Sequence, residues 1–479
     1  MRVAQVARSD ALSASRGAVT LSGMDERARA LDAAHRAATD FLATLPDRPV
    51  WPRATLDEMV EVFGGALPDE GMDAEALITD LAAKAEPGLV AIPGGRFFGF
   101  VIGSTLPAPL AADWLVSAWD QNSGSSLVTP TTVGLERVAG EWILNLLGLP
   151  AGASVGYVTG AQVSNFTCLA VGRRAMLARL GWDLGERGAR NAPELRLVVG
   201  EHRHGSIDRA ARFLGLGSDD IVAVAADGEG RMIPGALEAT LARIEPGHAL
   251  VALQAGEVHS GAFDPFTELM PIARDHGAWV HVDGAFGLWA GASPSLRHLM
   301  AGAADADSWT TDAHKTLNVP YDCGMAIVRD PADSIAMFRT GGDYLVYTGL
   351  DPWDVGPELS RRGRGVPVWA ALRSLGRNGV AALVDRLHTN AVAMAEGLAE
   401  IPGVSVVNEV RYTQVMFRLD DDDATRALGA AILEEGTAVV TGAEWGGRAV
   451  LRCSMSSWAT TVDDIHRSLD AFRRLAAAI

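Results

Sequence analysis

The middle of the chain alternates short β-rich runs with stretches of helical spacing, and this alternation constrains the fold more than any other feature. Seven runs, at 156–158, 195–199, 221–225, 249–253, 278–282, 308–311 and 324–328, are mostly apolar or β-branched and too short to be helices. Strands separated by crossover helices pair in parallel, because a parallel neighbour is reached only by crossing over the sheet. The expected fold class is therefore α/β, a mostly parallel central sheet flanked by helices. Ligands then belong at the carboxyl ends of the strands.

On either side the rhythm is helical. From Met24 to about Ala83 apolar residues such as Ala28, Leu31, Ala34 and Ala38 recur at helical spacing, with Pro49 and Pro52 as breaks. PAPLAADWLVSAWD predicts one helix and VGLERVAGEWILNLLGL a second, with Leu135, Val138, Trp142, Leu146 and Leu147 as its apolar stripe. After Pro357 a long helical stretch precedes the strand-like segments VSVVN, TQVMFRL and AVLRCSM and a last helix from Val462. The expected organisation is a helical N-terminal arm (1–95), a large ligand-binding domain (96–365) and a small α+β domain (366–479). The first 23 residues are polar and Ala/Ser-rich and lack the apolar run of a signal peptide, so a frayed or locally ordered terminus is expected.

Composition excludes several classes. At 479 residues, with 48% hydrophobic and 21% charged positions, the chain can bury a large core. A net charge of −18, with no basic patch longer than Arg361-Arg362-Gly363-Arg364, opposes phosphate backbones and anionic lipid, so neither nucleic acid nor membrane is an expected partner. Cys168, Cys323 and Cys453 are too few and scattered for a disulfide framework or a thiolate zinc site, which points to a reducing cytoplasm.

Chemistry-bearing residues follow the runs. ADSWTTDAHKTLNVPYDCG places His314 and Lys315 after one, and WVHVDGAFGLWA places Asp283 at the end of another. VVGEHRHGSIDRAARFLG sets His202 and His204 after a third, with no further cluster to complete a metal site. In GYVTGAQVSNFTCLAVGRRA a strand, a Thr-Gly turn and a helix succeed one another, so the N–H groups of Gly160, Ala161 and Gln162 open a helix whose dipole favours an anion. Taken singly, each has an ordinary structural reading: a solvated His-Lys loop, and an Asp that caps a helix or forms an ion pair.

In this order, together with RFFGFVIG, TPTTVGLERVAGEWILNLLGLP and DAHKTLNVPYDCG, these residues resemble the fold-type I pyridoxal phosphate enzymes, and specifically the group II amino-acid decarboxylases. The resemblance implies pyridoxal 5'-phosphate held by a Schiff base to Lys315, with Asp283 on the pyridine nitrogen and His204 stacked on the ring. Ala285 would let the opposite face pack closely, His314 would contact the phosphate, and Thr159, Gly160 and Ala161 would cradle it. It also implies a homodimer with the active site at the subunit interface and the N-terminal helices wrapping the partner.

The departures from the family pattern are local. Thr159-Gly160-Ala161-Gln162-Val163-Ser164-Asn165 stands where the family commonly has Ser-Gly-Gly-Ser-Glu-Ala-Asn. Gly256-Glu257-Val258-His259 replaces a Gly-Thr-Thr run, which puts a carboxylate near the cofactor with either a substrate-selecting or a structural role. Asp120 to Ser125 are small or polar where aromatic-substrate members hold bulky residues. Tyr344 and Tyr347 are the candidates for the loop tyrosine that protonates Cα, against an alternative packing role. The implied activity is L-amino-acid α-decarboxylation. An oxidative aldehyde synthase or an aminotransferase on the same scaffold, and a non-catalytic cofactor-binding homologue, are the alternatives.

Overall fold

The computed structural model describes residues 17–339 and 349–479. They fall into two compact units, one ending at Ala91 and the other beginning at Ile92. The first unit contains the helices Gly17–Thr44, Leu56–Phe63 and Ala74–Ala85. Leu56–Phe63 starts with a complete capping box, Thr55 bonding Glu58 in both directions. None of its eight residues is buried. Ala33 is buried in the long helix, whereas Leu31 of the expected stripe is exposed.

In the second unit all seven runs are strands: β1 (Ser154–Val158), β2 (Arg196–Gly200), β3 (Ile221–Val224), β4 (Ala249–Gln254), β5 (Trp279–Asp283), β6 (Ser308–Asp312) and β7 (Gly324–Val328). They form one sheet in the order β1-β7-β6-β5-β4-β2-β3. Only β7 runs against the others. Helices cover both faces, which is why β5, β6 and β7 are buried at every position. The helix Ala161–Arg179 lies against the sheet, with Cys168, Leu169 and Met176 fully buried among Leu197, Leu250 and Trp279.

A second, antiparallel sheet is formed by β8 (Val404–Val406), β9 (Gln414–Leu419), β10 (Thr441–Trp445) and β11 (Arg448–Ser454), in the order β10-β11-β9-β8. The sequence reading finds three of these and misses β10, an edge strand whose Gly442 and Glu444 dilute the pattern. Its signal is the following pair Gly446-Gly447, at φ 56° and 73°, a two-residue hairpin turn that needs positive φ at both positions. The long helix Gly365–Ala399 is two segments meeting at Gly376. Among the described residues no helix is long and apolar enough to cross a membrane.

The helix Pro130–Leu147 keeps part of its expected stripe: Leu146 and Leu147 are buried and Leu135 and Val138 half-buried. Its core face also holds Thr132, Val133, Glu136, Ala139, Gly140, Ile143 and Leu144, while Trp142 is 36% exposed and stacks on Trp369. Glu136 is a charge held in the core by its partner: Arg361 Nη1 and Nη2 donate to its two oxygens at 2.7 and 2.6 Å, and the Gly365 amide donates at 3.1 Å. Both side chains are 3% exposed. Truncation of one partner strands the other charge in the core. Arg361→Ala is therefore expected to destabilise the fold by about 3–5 kcal/mol, to be read as a lowered urea midpoint by circular dichroism.

Candidate active site

Because β7 alone is reversed, the carboxyl ends of β1, β2, β4, β5 and β6 and the amino end of β7 share one edge of the sheet. A cavity of about 620 Å³ opens there. Gly160, Ala161, His204, Asp283, Ala285, His314 and Lys315, all singled out from the sequence, line it. Thr159 is not in the wall. It is the half-buried residue between β1 and Gly160.

Lys315 stands in the loop after β6, its side chain 20% exposed and its Nζ 3.1 Å from Asp312 Oδ2. His314 is buried. Its Nδ1 accepts from the Cys323 amide at 3.1 Å, its Nε2 lies 3.5 Å from Asp312 Oδ2, and its ring stacks on Tyr321 at 4.1 Å. Burial, more than the neighbouring Lys315, holds the His314 imidazole below its ordinary pKa. Asp283, 6% exposed, accepts from Asn165 Nδ2 at 2.9 Å and from the Ala285 amide at 3.2 Å. His204 caps the helix Gly205–Phe213, its Nδ1 accepting from the Ser206 amide at 3.2 Å. Burial also lowers its pKa.

At the other end of the cavity the helix Ala161–Arg179 begins with no side-chain cap. Gly160 and Gly324 make this start possible: a Cβ on Gly324 would lie 2.5 Å from Gly160 Cα, and one on Gly160 would lie 3.3 Å from the His314 ring. Gln162, noted in the sequence for its backbone N–H and as a departure from the family pattern, lines the cavity with a buried side-chain Nε2 that has no partner among the described residues. Sequence reasoning also missed Asn165, Asp312, Arg209, Arg452 and Phe100. All but Asn165 are in the wall, Phe100 at φ 53° with its amide donating to Thr441 Oγ1 at 2.6 Å.

Neither Asp120 to Ser125 nor Glu257 is in the wall. Ser123, Gly124 and Ser125 are buried beside the 359–363 segment, and Asn122 Oδ1 accepts from the Arg361 amide at 3.1 Å. Glu257, 1% exposed, turns away from the cavity to cap its own loop, Oε2 accepting from the amides of His259 and Ser260, both at 2.6 Å. His202 packs on Trp445, ring centroids 4.6 Å apart. Tyr344 and Tyr347 lie outside the described residues. Among the described residues no three His, Cys, Asp or Glu side chains gather as a metal ion would need.

A lysine, a strand-end carboxylate and an uncapped helix start surround one cavity on a fold-type I sheet order. A family model for the pyridoxal-dependent decarboxylase conserved domain matches residues 57–420, and the chain belongs to that family. It is 31% identical over 390 residues to an L-2,4-diaminobutyrate decarboxylase of Rhizobium meliloti, covering 77% of this chain and 75% of that protein. It is 27% identical over 460 residues to a 4-hydroxyphenylacetaldehyde synthase of Rhodiola rosea, covering 90% and 91%. The solved structure of Oryza sativa TDC with PLP and tryptamine shares the fold, with a TM-score of 0.88 at 21% identity over 98% of this chain and 99% of that one. Mouse CSAD does so with a TM-score of 0.87 at 23% identity, over 94% and 99%.

The residues present fit the family's cofactor: the glycine cradle leaves room at the helix start, and Gln162 Nε2 is an unused donor beside it. Gly324→Ala is expected to push that start aside and weaken pyridoxal phosphate binding roughly tenfold, in line with an overpacking cost of about 1–3 kcal/mol. Gly134→Ala, which meets nothing within 4 Å, is expected to leave the affinity unchanged in the same fluorescence titration.

Burial also raises the Glu257 carboxyl from its ordinary 4.5 to about 7. The folded chain then keeps a proton that the unfolded chain releases, so stability falls as pH rises through this window and is level above it. Glu257→Gln is expected to flatten that decline in urea midpoints compared at roughly pH 5 and 8.

Proposed function

We propose that the protein is a pyridoxal phosphate-dependent L-amino-acid decarboxylase, releasing CO2 and an amine. The convergence of Lys315, Asp283, His204 and the uncapped helix start on one cavity carries this reading. When bound, pyridoxal phosphate supplies an aldehyde that condenses with amines and a ring that accepts the electron pair left on Cα as CO2 departs.

Lys315 would be the amine that holds the cofactor. Asp312, 3.1 Å away, keeps that amine at the cavity edge. Asp283 would hold the ring nitrogen, where its carboxylate would favour a proton. His204 would pack on the ring, and the small Ala285 side chain would leave room for it. Gly160, Ala161, Gln162 and His314 would hold the phosphate, with Thr159 setting the turn into the helix. The neutral His314 and the helix amides present N–H donors to an anion.

We also propose that the working form is a homodimer. The helix Leu56–Phe63 supports this, since it leaves Leu56, Val60 and Phe63 exposed at 77, 61 and 48%. So do Leu127 and Val128 at 59 and 71%. A reducing, cytoplasmic setting belongs to the same reading, supported by three thiols that are all buried and unpaired.

The purified protein is expected to absorb in the visible as a lysine-bound cofactor does, and Lys315→Ala to lose both that band and CO2 release. Light scattering is expected to report twice the 50.4 kDa chain mass. A panel of L-amino acids that includes 2,4-diaminobutyrate, cysteine sulfinate and aromatic residues tests the substrate. A second reading, an aldehyde synthase, is favoured by the likeness to the Rhodiola rosea enzyme over 90% of the chain. Peroxide and ammonia formed alongside CO2 would select it. Absence of the band in the wild-type protein would overturn both readings.

A further inference from the structure

From the buried side of Asp283 to the cavity wall at His204, a row of polar groups joins four elements of the fold. Trp279 Nε1 lies 3.1 Å from Ser308 Oγ, Ser308 Oγ 3.0 Å from His281 Nδ1, and His281 Nε2 2.9 Å from Asn165 Oδ1. Asn165 Nδ2 then reaches Asp283 Oδ2 at 2.9 Å and Ser206 Oγ at 3.1 Å, and Ser206 Oγ lies 2.9 Å from His204 Nδ1. His281, Asn165 and Ser308 are fully buried.

Each proton in this row has one consistent place. An indole N–H can only donate, so Ser308 Oγ accepts from Trp279. At the other end a carboxylate only accepts, so the Asn165 amide must turn its nitrogen to Asp283 and its oxygen to His281. His281 therefore carries its proton on Nε2. Complete burial holds the ring neutral, with its pKa lowered to about 4, so Nδ1 is bare and takes the Ser308 hydroxyl proton. On the second branch Ser206 Oγ accepts from Asn165 and passes its own proton to His204 Nδ1. The Ser206 amide donates to the same nitrogen. Neutral His204 is left with its proton on Nε2.

We propose that Asn165, oriented by His281, is a positioning residue that holds Asp283 as an acceptor toward the cofactor ring and sets the tautomer of His204. This rests on the reading that Asp283 faces the ring nitrogen, and it adds that one buried amide couples the groups at the ring's edge and face. A neutral donor chain orders Asp283 without neutralising it, whereas an arginine in the same place would compete with the ring for its charge.

Selective 15N-histidine labelling of the wild-type protein tests the protonation pattern with and without pyridoxal phosphate. The His281 ring is expected to carry its proton on Nε2 and not to titrate across roughly pH 6 to 8.5. A proton on Nδ1, or titration in that range, would overturn the proposal. In the holoenzyme, Asn165→Leu and His281→Phe are expected to weaken cofactor affinity by roughly five- to tenfold, as loss of one buried hydrogen bond does, and to move the pH midpoint of the cofactor band. His281→Gln, which keeps a donor for Asn165, is expected to restore both. If Asp283→Asn changes affinity and band while Asn165→Leu changes neither, this inference fails alone. If Asp283→Asn also changes neither, the assignment of Asp283 to the ring nitrogen has failed and this inference with it.

Discussion

The site is organised around a carboxylate at the end of the sheet's middle strand. Asp283 terminates β5, the fourth strand in the order, where it is 6% exposed. A charge in that position costs several kcal/mol unless donors or a cation meet it. The two donors present, Asn165 Nδ2 and the Ala285 amide, are neutral, and a cation is left to the cavity side. Meeting Asp283 with the Asn165 side chain also requires that the helix Ala161–Arg179 lie close on the sheet. This is why that helix buries residues on nearly every side rather than along one stripe.

The one reversed strand matters as much. Asp312 at the end of β6 pairs in register with Gly324 at the start of β7. The intervening residues 313–323 therefore turn back at the same edge of the sheet, whereas a crossover to a parallel strand would carry the chain to the opposite edge. His314 and Lys315 are held on this return, with Ala313 and His314 amides donating to the Cys323 carbonyl at 3.0 and 3.4 Å. On its other side β7 pairs with β1, so Gly324 is pressed against Gly160 and the amine and the helix start share one cavity.

Much of this was legible in the chain because it is local. A strand buried on both faces reads as a short, mostly apolar or β-branched run, and a residue just beyond it sits at the sheet edge whatever its neighbours are. That was enough to bring seven of the eight site residues to one cavity wall. The rest depends on contacts between distant segments. Glu136 is buried because Arg361 is there to receive it, and Glu257 faces its own loop because the amides of His259 and Ser260 turn toward it. His281 carries a weak local signal, since it lies two residues before Asp283 and shares its side of β5. Asn165 carries none, because its partners in the row are 41, 116 and 118 residues away.

The cavity wall divides along the same line. Gly160, Asp283, Asp312 and Lys315 stand at strand ends or on the return between paired strands, where the hydrogen-bond ladder fixes their backbone. Phe100, Val258 and Arg452 come from elsewhere: a loop residue at positive φ, the loop after β4, and β11 of the small sheet. The side chains of these three can change without breaking a ladder of the central sheet, whereas moving the strand-end groups would shift register. Arg452 shows what such freedom permits. Its Nη1 donates to the Val258 carbonyl at 2.5 Å, tying the two sheets across the cavity, while its buried Nε has no partner among the described residues and its pKa is pulled down to about 10 by burial. A cavity edge fixed by the central sheet and a separately supported wall opposite it therefore follow from the topology.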